Sequence, residues 1–190
     1  DTPPWMQDFL KEILLMVLTG SEEQEVLDRI IEFRKEYRAK PSWQKGSPKR
    51  VNNLTQYKGK MSSYDKQRNN AYKNNKSLKD VKKPPMPGHV TASLNWNKLR
   101  EMNSDKYSIE IVDGMKTIVC KLKDNPLGFT SIAYPTDETR LPEWFKELPF
   151  DDDSMEDIVV SKKLENLLGV LEWDLGKAAA KNTFASLFEF

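Results

Sequence analysis

The first forty residues show the apolar spacing of two amphipathic helices. A threonine followed by two prolines is a typical helix start, and apolar residues then recur every three or four positions over residues 5–18. Gly20 ends this helix. Ser21, with Gln24 three residues later, predicts a capping box for a second helix. The pattern therefore predicts an antiparallel helical hairpin over residues 1–40.

A later Pro-Pro-Met-Pro-Gly run excludes helix and predicts an extended turn. Beyond it, the pattern of residues 90–100 predicts a strand that leads into a short helix. Apolar and β-branched residues alternate over 107–122 around Asp113-Gly114, which predicts a β-hairpin. A Ser-Ile-Ala-Tyr segment predicts one more strand. Together these segments predict a small antiparallel β-lobe over residues 88–135.

The last part of the chain is predicted to be helical over residues 142–173. Pro142 stands at the permitted first position of a short helix, and a longer helix follows the Asp151–Asp153 run. This run allows a metal-site interpretation, but acids are favoured at helix N-termini, and Ser154 with an acid three residues later marks such a start. We predict no metal site here. The fold class is therefore predicted to be α+β: helical hairpin, β-lobe and C-terminal helix.

Charge is distributed very unevenly along the chain. Residues 45–83 hold 12 lysines and arginines against Asp65 and Asp80, a net charge of +10, whereas the whole chain carries +1. Tyrosines and amides stand among these cations, and such side chains stack on bases or hydrogen-bond sugar and phosphate. The segment is expected to bind a polyanion, most commonly a phosphate backbone; the alternative is a solvated loop without a partner. We expect residues 61–83 to be mobile without a ligand.

Composition sets further limits. A chain of 190 residues allows one domain, or one domain with a smaller lobe. The single Cys120 excludes an internal disulfide and fits a reducing compartment. The longest apolar run, residues 13–18, is too short for a bilayer and does not resemble a signal peptide, so no membrane partner is predicted.

His89, the only histidine, is expected to be structural or to make one hydrogen bond to a ligand. Because the chain begins at Asp1, we expect a processed or partial chain.

The C-terminus is strongly apolar. Residues 184–190 read Phe-Ala-Ser-Leu-Phe-Glu-Phe, after an alanine-rich tether. Large apolar side chains at such positions either pack back on the core or insert into a hydrophobic groove of a partner.

Several short motifs occur in the order and spacing of one protein family. They are Thr2-Pro3 before the acid-rich helix pair, Asn52-Asn53-Leu54-x-x-Tyr57, Pro87-x-His89 with Trp96-Asn97, Gly114-x-Lys116 with Leu122, Asn125-Pro126, Gly128 and Ile132-Ala133-x-Pro135, and the terminal residues 185–190. The chain resembles the C-terminal part, the thumb, of the family B replicative DNA polymerases of T-even-type bacteriophages. Its segment between Tyr57 and His89 is longer and richer in lysine than in that family.

The resemblance implies a thumb domain over residues 1–183, with a basic DNA-binding segment at 45–83, and a sliding-clamp-binding tail at 184–190. It implies a chain that grips primer-template DNA as part of a nucleotidyltransferase, in the cytoplasm of an infected bacterial host. The family's palm motif Asp-Thr-Asp-Ser is absent from this sequence. The chain is therefore expected to hold no catalytic residue and no cofactor, and to work with a catalytic chain carrying exonuclease, palm, fingers and magnesium.

Under this interpretation each predicted contact has a role. The residues expected to neutralise phosphates are Lys45, Lys49, Arg50, Lys58 and Lys60. Those expected to hydrogen-bond the backbone or minor-groove edges are Asn52, Asn53 and Tyr57, and Lys66, Arg68 and His89 complete the DNA-binding set. The clamp-binding residues are Leu187, Phe188 and Phe190. Two alternatives stay open: a stand-alone nucleic-acid-binding adaptor with a basic arm, and a small metal-dependent nuclease using the aspartate run, which lacks a convergent set of acids.

Overall fold

The computed structural model describes residues 1–170. In chain order the elements are α1 (Pro4–Leu18), α2 (Glu23–Arg38), β1 (Ser47–Arg50), α3 (Leu54–Lys73), α4 (Gly88–Met102), β2 (Lys116–Lys121), β3 (Ser131–Pro135), α5 (Glu143–Lys146), α6 (Asp152–Glu156) and α7 (Lys162–Val170). Helices predominate, and the three strands form one small antiparallel sheet in the order β1-β2-β3. The predicted α+β class is confirmed.

The chain is divided into two compact units. The central unit comprises residues 48–149. The terminal unit combines residues 1–47 with the segment that begins at Phe150. The terminal unit is therefore built from two stretches of sequence separated by the whole of the central unit.

Helices α1 and α2 pack as an antiparallel pair, as their apolar spacing predicts. The Phe9 ring stacks on the Phe33 ring with centroids 3.6 Å apart, and Glu12 pairs with Arg29 near the same surface. Met6, Phe9, Ile13 and Ile30 are buried in the shared core, together with side chains of α7. Each buried apolar side chain stabilises the pair by about 1.5–3 kcal/mol relative to an exposed position.

The turn between these helices differs from its prediction by one residue. Gly20 has φ of +88°, and the Ser21 N–H donates to the Met16 carbonyl at 2.9 Å, which closes α1 with a left-handed C-terminal cap. The backbone of Ser21 is therefore hydrogen-bonded to the end of α1. The N-cap residue of α2 is Glu22, whose N–H donates to the Glu25 carboxylate at 3.3 Å.

Helices α6 and α7, joined by one π-helical turn over Asp157–Ser161, complete the terminal unit. Apolar side chains of the π-helical turn and of α7 enter the core of α1 and α2. The N-cap is Asp151, whose carboxylate accepts from the Ser154 N–H at 3.1 Å, so the helix starts three residues before the predicted start. Asp151 thus satisfies a free N–H group at the helix N-terminus.

Helix α4 packs against β3 and β2 of the central unit. Trp96 is fully buried against Phe145, with ring centroids 5.4 Å apart, and Asn95 Nδ2 donates to the Ser131 carbonyl at 2.8 Å. The predicted strand at residues 90–100 is wrong, because this whole segment lies in α4. Its buried positions follow helical spacing, and the partners that satisfy its asparagines come from distant sequence.

The predicted β-hairpin over residues 107–122 is also wrong. Residues 108–111 do not pair with β2; three of their backbone carbonyls accept hydrogen bonds from side chains of α4 instead, and the Ser108 and Ile109 N–H groups donate to Asp105 and Glu138. Arg100 Nε donates to the Ser108 carbonyl (2.6 Å), Trp96 Nε1 to the Ile109 carbonyl (2.9 Å), and Asn97 Nδ2 to the Ile111 carbonyl (2.9 Å). With its hydrogen-bonding groups satisfied in this way, the segment leaves β2 to pair with β3, from Thr117 opposite Pro135 to Lys121 opposite Ser131.

Candidate nucleic-acid interface

The two units carry opposite net charge. Residues 48–149 contain 19 lysines and arginines and 11 aspartates and glutamates, a net charge of +8, whereas the rest of the chain has 11 basic and 18 acidic residues, a net charge of −7. The division of charge therefore follows the fold. The central unit by itself has the excess of positive charge that attracts polyanions.

Much of the predicted basic stretch is a single helix, α3, of 20 residues. At 1.5 Å per residue its length is about 30 Å, and only Leu54 and Ala71 of its residues are buried. The structure places residues 61–73, expected to be mobile, within this helix. The sequence does carry a helical signal that the charge obscured, because Leu54, Tyr57, Met61 and Tyr64 recur at intervals of three and four.

The N-terminus of α3 is held by a residue nearly sixty positions later in the chain. The Asp113 carboxylate accepts hydrogen bonds from the Leu54 N–H, from the Thr55 N–H at 3.4 Å and from Thr55 Oγ1 at 3.0 Å. The Leu54 hydrogen bond is the main cause that lowers the pKa of Asp113. Partial desolvation acts in the opposite direction, and the hydrogen bonds from Thr55 lower the pKa further. Asp113 thus belongs to a turn of the predicted hairpin but acts as a cap of α3.

Four of the predicted DNA contacts project from α3 into solvent: Lys58, Lys60, Lys66 and Arg68. Lys60 Nζ lies 5.0 Å from the centre of the half-buried Tyr57 ring. Lys58 is 3.8 Å from Glu110 and Arg68 is 3.9 Å from Asp65, both as exposed ion pairs. Exposed pairs of this kind contribute about 0–1 kcal/mol, so a phosphate can readily replace the carboxylate in each.

Five further predicted contacts lie where β1 leads into α3 and where α4 begins. Asn52 and Asn53 are exposed, and Asn53 has φ of +61°, the left-handed region that asparagine tolerates better than most residues. Arg50 is exposed but is oriented by donating from Nη1 to the Gly114 carbonyl at 2.9 Å. His89 is half-buried at the start of α4, and burial together with the positive charge of Lys49 lowers its pKa. The fold thus brings Lys49 and His89 together from positions forty residues apart.

Lys45 does not belong to this set. Its side chain is 4% exposed in the terminal unit, where Nζ pairs with Asp152 at 3.3 Å and donates to the Arg38 carbonyl at 3.1 Å. The ammonium also lies 5.6 Å from the centre of the Tyr37 ring. Because this ammonium is enclosed and already paired, the prediction that Lys45 contacts phosphate is corrected.

The structure adds cations that sequence reasoning missed. An open cleft of about 610 Å³ in the central unit is lined by cations from α3, α4 and the following loop, with acids among them. The cations are Lys58, Lys98, Arg100 and Lys106, and the acids are Glu101, Asp105 and Glu110. No local run marks Lys98, Arg100 and Lys106 in the sequence, and only the packing of the central unit brings them to the cleft that Lys58 also lines.

Asp105 shapes this cleft rather than offering a free charge to it. Its carboxylate accepts hydrogen bonds from Ser108 Oγ at 2.5 Å, from two backbone N–H groups and from Trp144 Nε1 at 3.0 Å. Burial opposes ionisation, but these hydrogen bonds outweigh it and hold the pKa of Asp105 well below its usual range. Asp105 therefore stays ionised and fixes the loop that carries Lys106.

The predicted clamp-binding residues Leu187, Phe188 and Phe190 lie outside the described residues. Within residues 1–170, no three acidic, histidine or cysteine side chains come together as a metal site would require. None of the helices in this range is both long and apolar enough to cross a bilayer. No protein-family model matches the chain, and no curated protein matches it either.

Proposed function

We propose that the chain binds double-stranded DNA through its central unit. The observation that carries this proposal is the +8 net charge of residues 48–149, set against −7 for the remainder. The exposed cations of α3 and β1 lie on this unit, and two of them, Lys58 and Arg68, make only long ion pairs of 3.8 and 3.9 Å within the protein. Phosphate contacts of this kind carry no sequence information, so the part of the affinity that they supply is expected to be independent of base sequence.

We further propose that the chain is the C-terminal thumb part of a phage replicative DNA polymerase of family B. Two motifs that support this resemblance lie in the candidate interface, because Asn52-Asn53-Leu54-x-x-Tyr57 leads into α3 and Pro87-x-His89 leads into α4. In this role the chain grips the newly made primer-template duplex. A second chain supplies the exonuclease, palm and fingers, and holds the magnesium ions needed for phosphoryl transfer.

The proposed second contact is with a sliding clamp, through Leu187, Phe188 and Phe190. Anchoring the tail to a ring that encircles DNA raises the local concentration of the duplex near the central unit. Deleting residues 185–190 is expected to abolish binding to the phage's clamp and to leave duplex binding nearly unchanged. Equal loss of both would contradict this division of roles.

The test of DNA binding is fluorescence anisotropy with a labelled primer-template duplex at two salt concentrations. Six predicted cations remain once Lys45 is excluded, and each released counterion contributes about 0.9 to the slope of log affinity against log salt. Raising salt from about 50 to 200 mM should therefore weaken binding by roughly a thousandfold. Two duplexes of unrelated sequence should give the same salt slope, because the slope depends on the number of phosphates neutralised. Absence of binding at the lower salt concentration would overturn the proposal, and a strong preference for RNA would favour the adaptor.

A further inference from the structure

The side of α3 that faces away from the protein carries no acidic residue. At 100° per residue, this side lies opposite the half-buried Tyr57, Met61 and Tyr64. Its exposed residues, here called the outer face, are Thr55, Gly59, Ser62, Ser63, Lys66, Asn69, Asn70 and Lys73. The single acid of the helix, Asp65, lies roughly a quarter turn from the centre of this face. The outer face therefore combines positive charge with hydroxyl and amide groups.

These residue types match the base edges of DNA. Asparagine pairs with adenine and lysine with guanine in the major groove, and serine or threonine pairs with either. The B-form major groove is about 12 Å wide and admits an α-helix, whose diameter with side chains is about 10–12 Å. With its length of about 30 Å, α3 is long enough to cross the groove and present side chains to a few successive base pairs.

Gly59 supports a close approach at the middle of the outer face. A glycine inside a helix is destabilising relative to alanine. Apart from its two chain neighbours and the nearby backbone of α3 itself, no atom of the described chain lies within 4 Å of the position that the Cβ of residue 59 would occupy. Packing within the described chain therefore does not require glycine here. A missing side chain in the centre of an exposed face allows another molecule to approach the helix backbone.

The helix is also presented in a fixed position. Asp113 holds its first turn, and Ala71 is buried near its last turn, where the short turn Leu78–Asp80 packs against it. Both ends are thus tied to the central unit while the outer face stays open. A rigidly mounted element positions contact groups more accurately than a loop does.

We propose that α3 lies in the major groove of B-form DNA with its outer face toward the base edges. This inference rests on the proposed DNA binding. It further specifies that the major groove is the groove recognised and that the duplex is B-form. A-form RNA has a major groove too deep and narrow for such a helix. An RNA duplex of the same sequence should therefore bind more weakly than the DNA duplex.

The test is methylation protection with dimethyl sulfate, which modifies guanine N7 in the major groove and adenine N3 in the minor groove. The full chain bound to duplex DNA should protect N7 positions of the few successive base pairs that α3 covers. Gly59→Leu should remove this protection and weaken binding by about tenfold or more, the loss expected for one good base contact. Leucine is a better helix former than glycine, so loss of folding would not explain the effect, and circular dichroism checks this.

Gln67→Leu is the matched control, because Gln67 is exposed on α3 but lies away from the centre of the outer face. It should leave affinity and N7 protection unchanged. Duplex binding with protection of adenine N3 alone, equal weakening by both variants, or equal affinity for RNA and DNA duplexes would overturn the inference while leaving DNA binding in place. Failure to bind any duplex would overturn the proposed function itself.

Discussion

The buried ion pair between Arg34 and Glu156 gives the sharpest test of how the terminal unit is held together. Arg34 Nη1 donates to Glu156 Oε1 at 2.8 Å, and the two side chains are only 7% and 10% exposed. Arg34 also donates from Nη2 to Ser161 Oγ at 3.2 Å, and Arg38 reaches the other Glu156 oxygen at 3.0 Å. The pair therefore ties α2 to the start of the α6–α7 segment, across more than a hundred residues of sequence.

Glu156→Gln removes the charge but keeps one carbonyl acceptor. It leaves the Arg34 guanidinium buried without a counter-charge, a change that costs about 3–5 kcal/mol in buried pairs. We expect the lower end, about 3 kcal/mol, because Ser161 and the retained carbonyl still accept hydrogen bonds. For a unit of this size, such a loss lowers Tm by roughly 10–20 °C.

The measurement is urea denaturation of the full chain, with hydrogen exchange of α2 amides to report on the terminal unit alone. Glu12→Gln is the matched control, since it breaks the Arg29 pair, whose side chains are 24% and 44% exposed, and should cost no more than about 1 kcal/mol. The double variant Arg34→Met with Glu156→Leu should recover most of the lost stability, because it leaves no unpaired buried charge. A loss with Glu156→Gln no larger than that of Glu12→Gln would refute this reasoning.

Three more predictions concern DNA binding and the capping of α3. Replacing Lys58 and Lys60 with alanine should flatten the salt slope of DNA binding by up to about two. Lys45→Met should destabilise the fold without flattening that slope. A flatter slope for Lys45→Met would contradict the exclusion of Lys45 from the DNA contacts. Burial and a neighbouring lysine lower the pKa of His89, and a nearby DNA phosphate should raise that pKa again. DNA affinity, measured by anisotropy, should therefore increase as pH falls toward the ordinary histidine pKa. His89→Gln should abolish this pH dependence. The pKa of Asp113 is lowered in the folded chain, so its stabilisation of α3 is present above the ordinary aspartate pKa and is lost as pH falls through the lowered pKa. Circular dichroism should show this loss as a decrease of helicity in acid. Asp113→Ala should remove the acid transition and reduce helicity at neutral pH.

The separation of charge between the units has a consequence for how these experiments are interpreted. The half-buried Lys45–Asp152 pair and the buried Arg34–Glu156 pair lie in the terminal unit, whereas the exposed cations of α3 lie in the central unit. Substitutions in the first group should act on stability and those in the second on salt-dependent binding. A variant of either group that changes both quantities would show that the two units are energetically coupled.

The sequence by itself determined the features that depend on neighbouring residues. Apolar residues at intervals of three and four were enough to predict α1 and α2, because an isolated helical face repeats every 3.6 residues. The alternation of strand-like residues was enough to locate β2 and β3. The basic stretch was visible because its cations are close together in the chain.

Only the tertiary structure decided which groups satisfy one another. Residues 108–111 have the pattern of a strand but bind α4 side chains, and the turn residue Asp113 caps a helix that begins 59 residues earlier. Lys45 belongs to the basic stretch by position, yet it is buried against Asp152. Each of these outcomes depends on a partner that is distant in sequence. The local sequence pattern carries no information about such a contact, because the two residues meet only once the chain has folded.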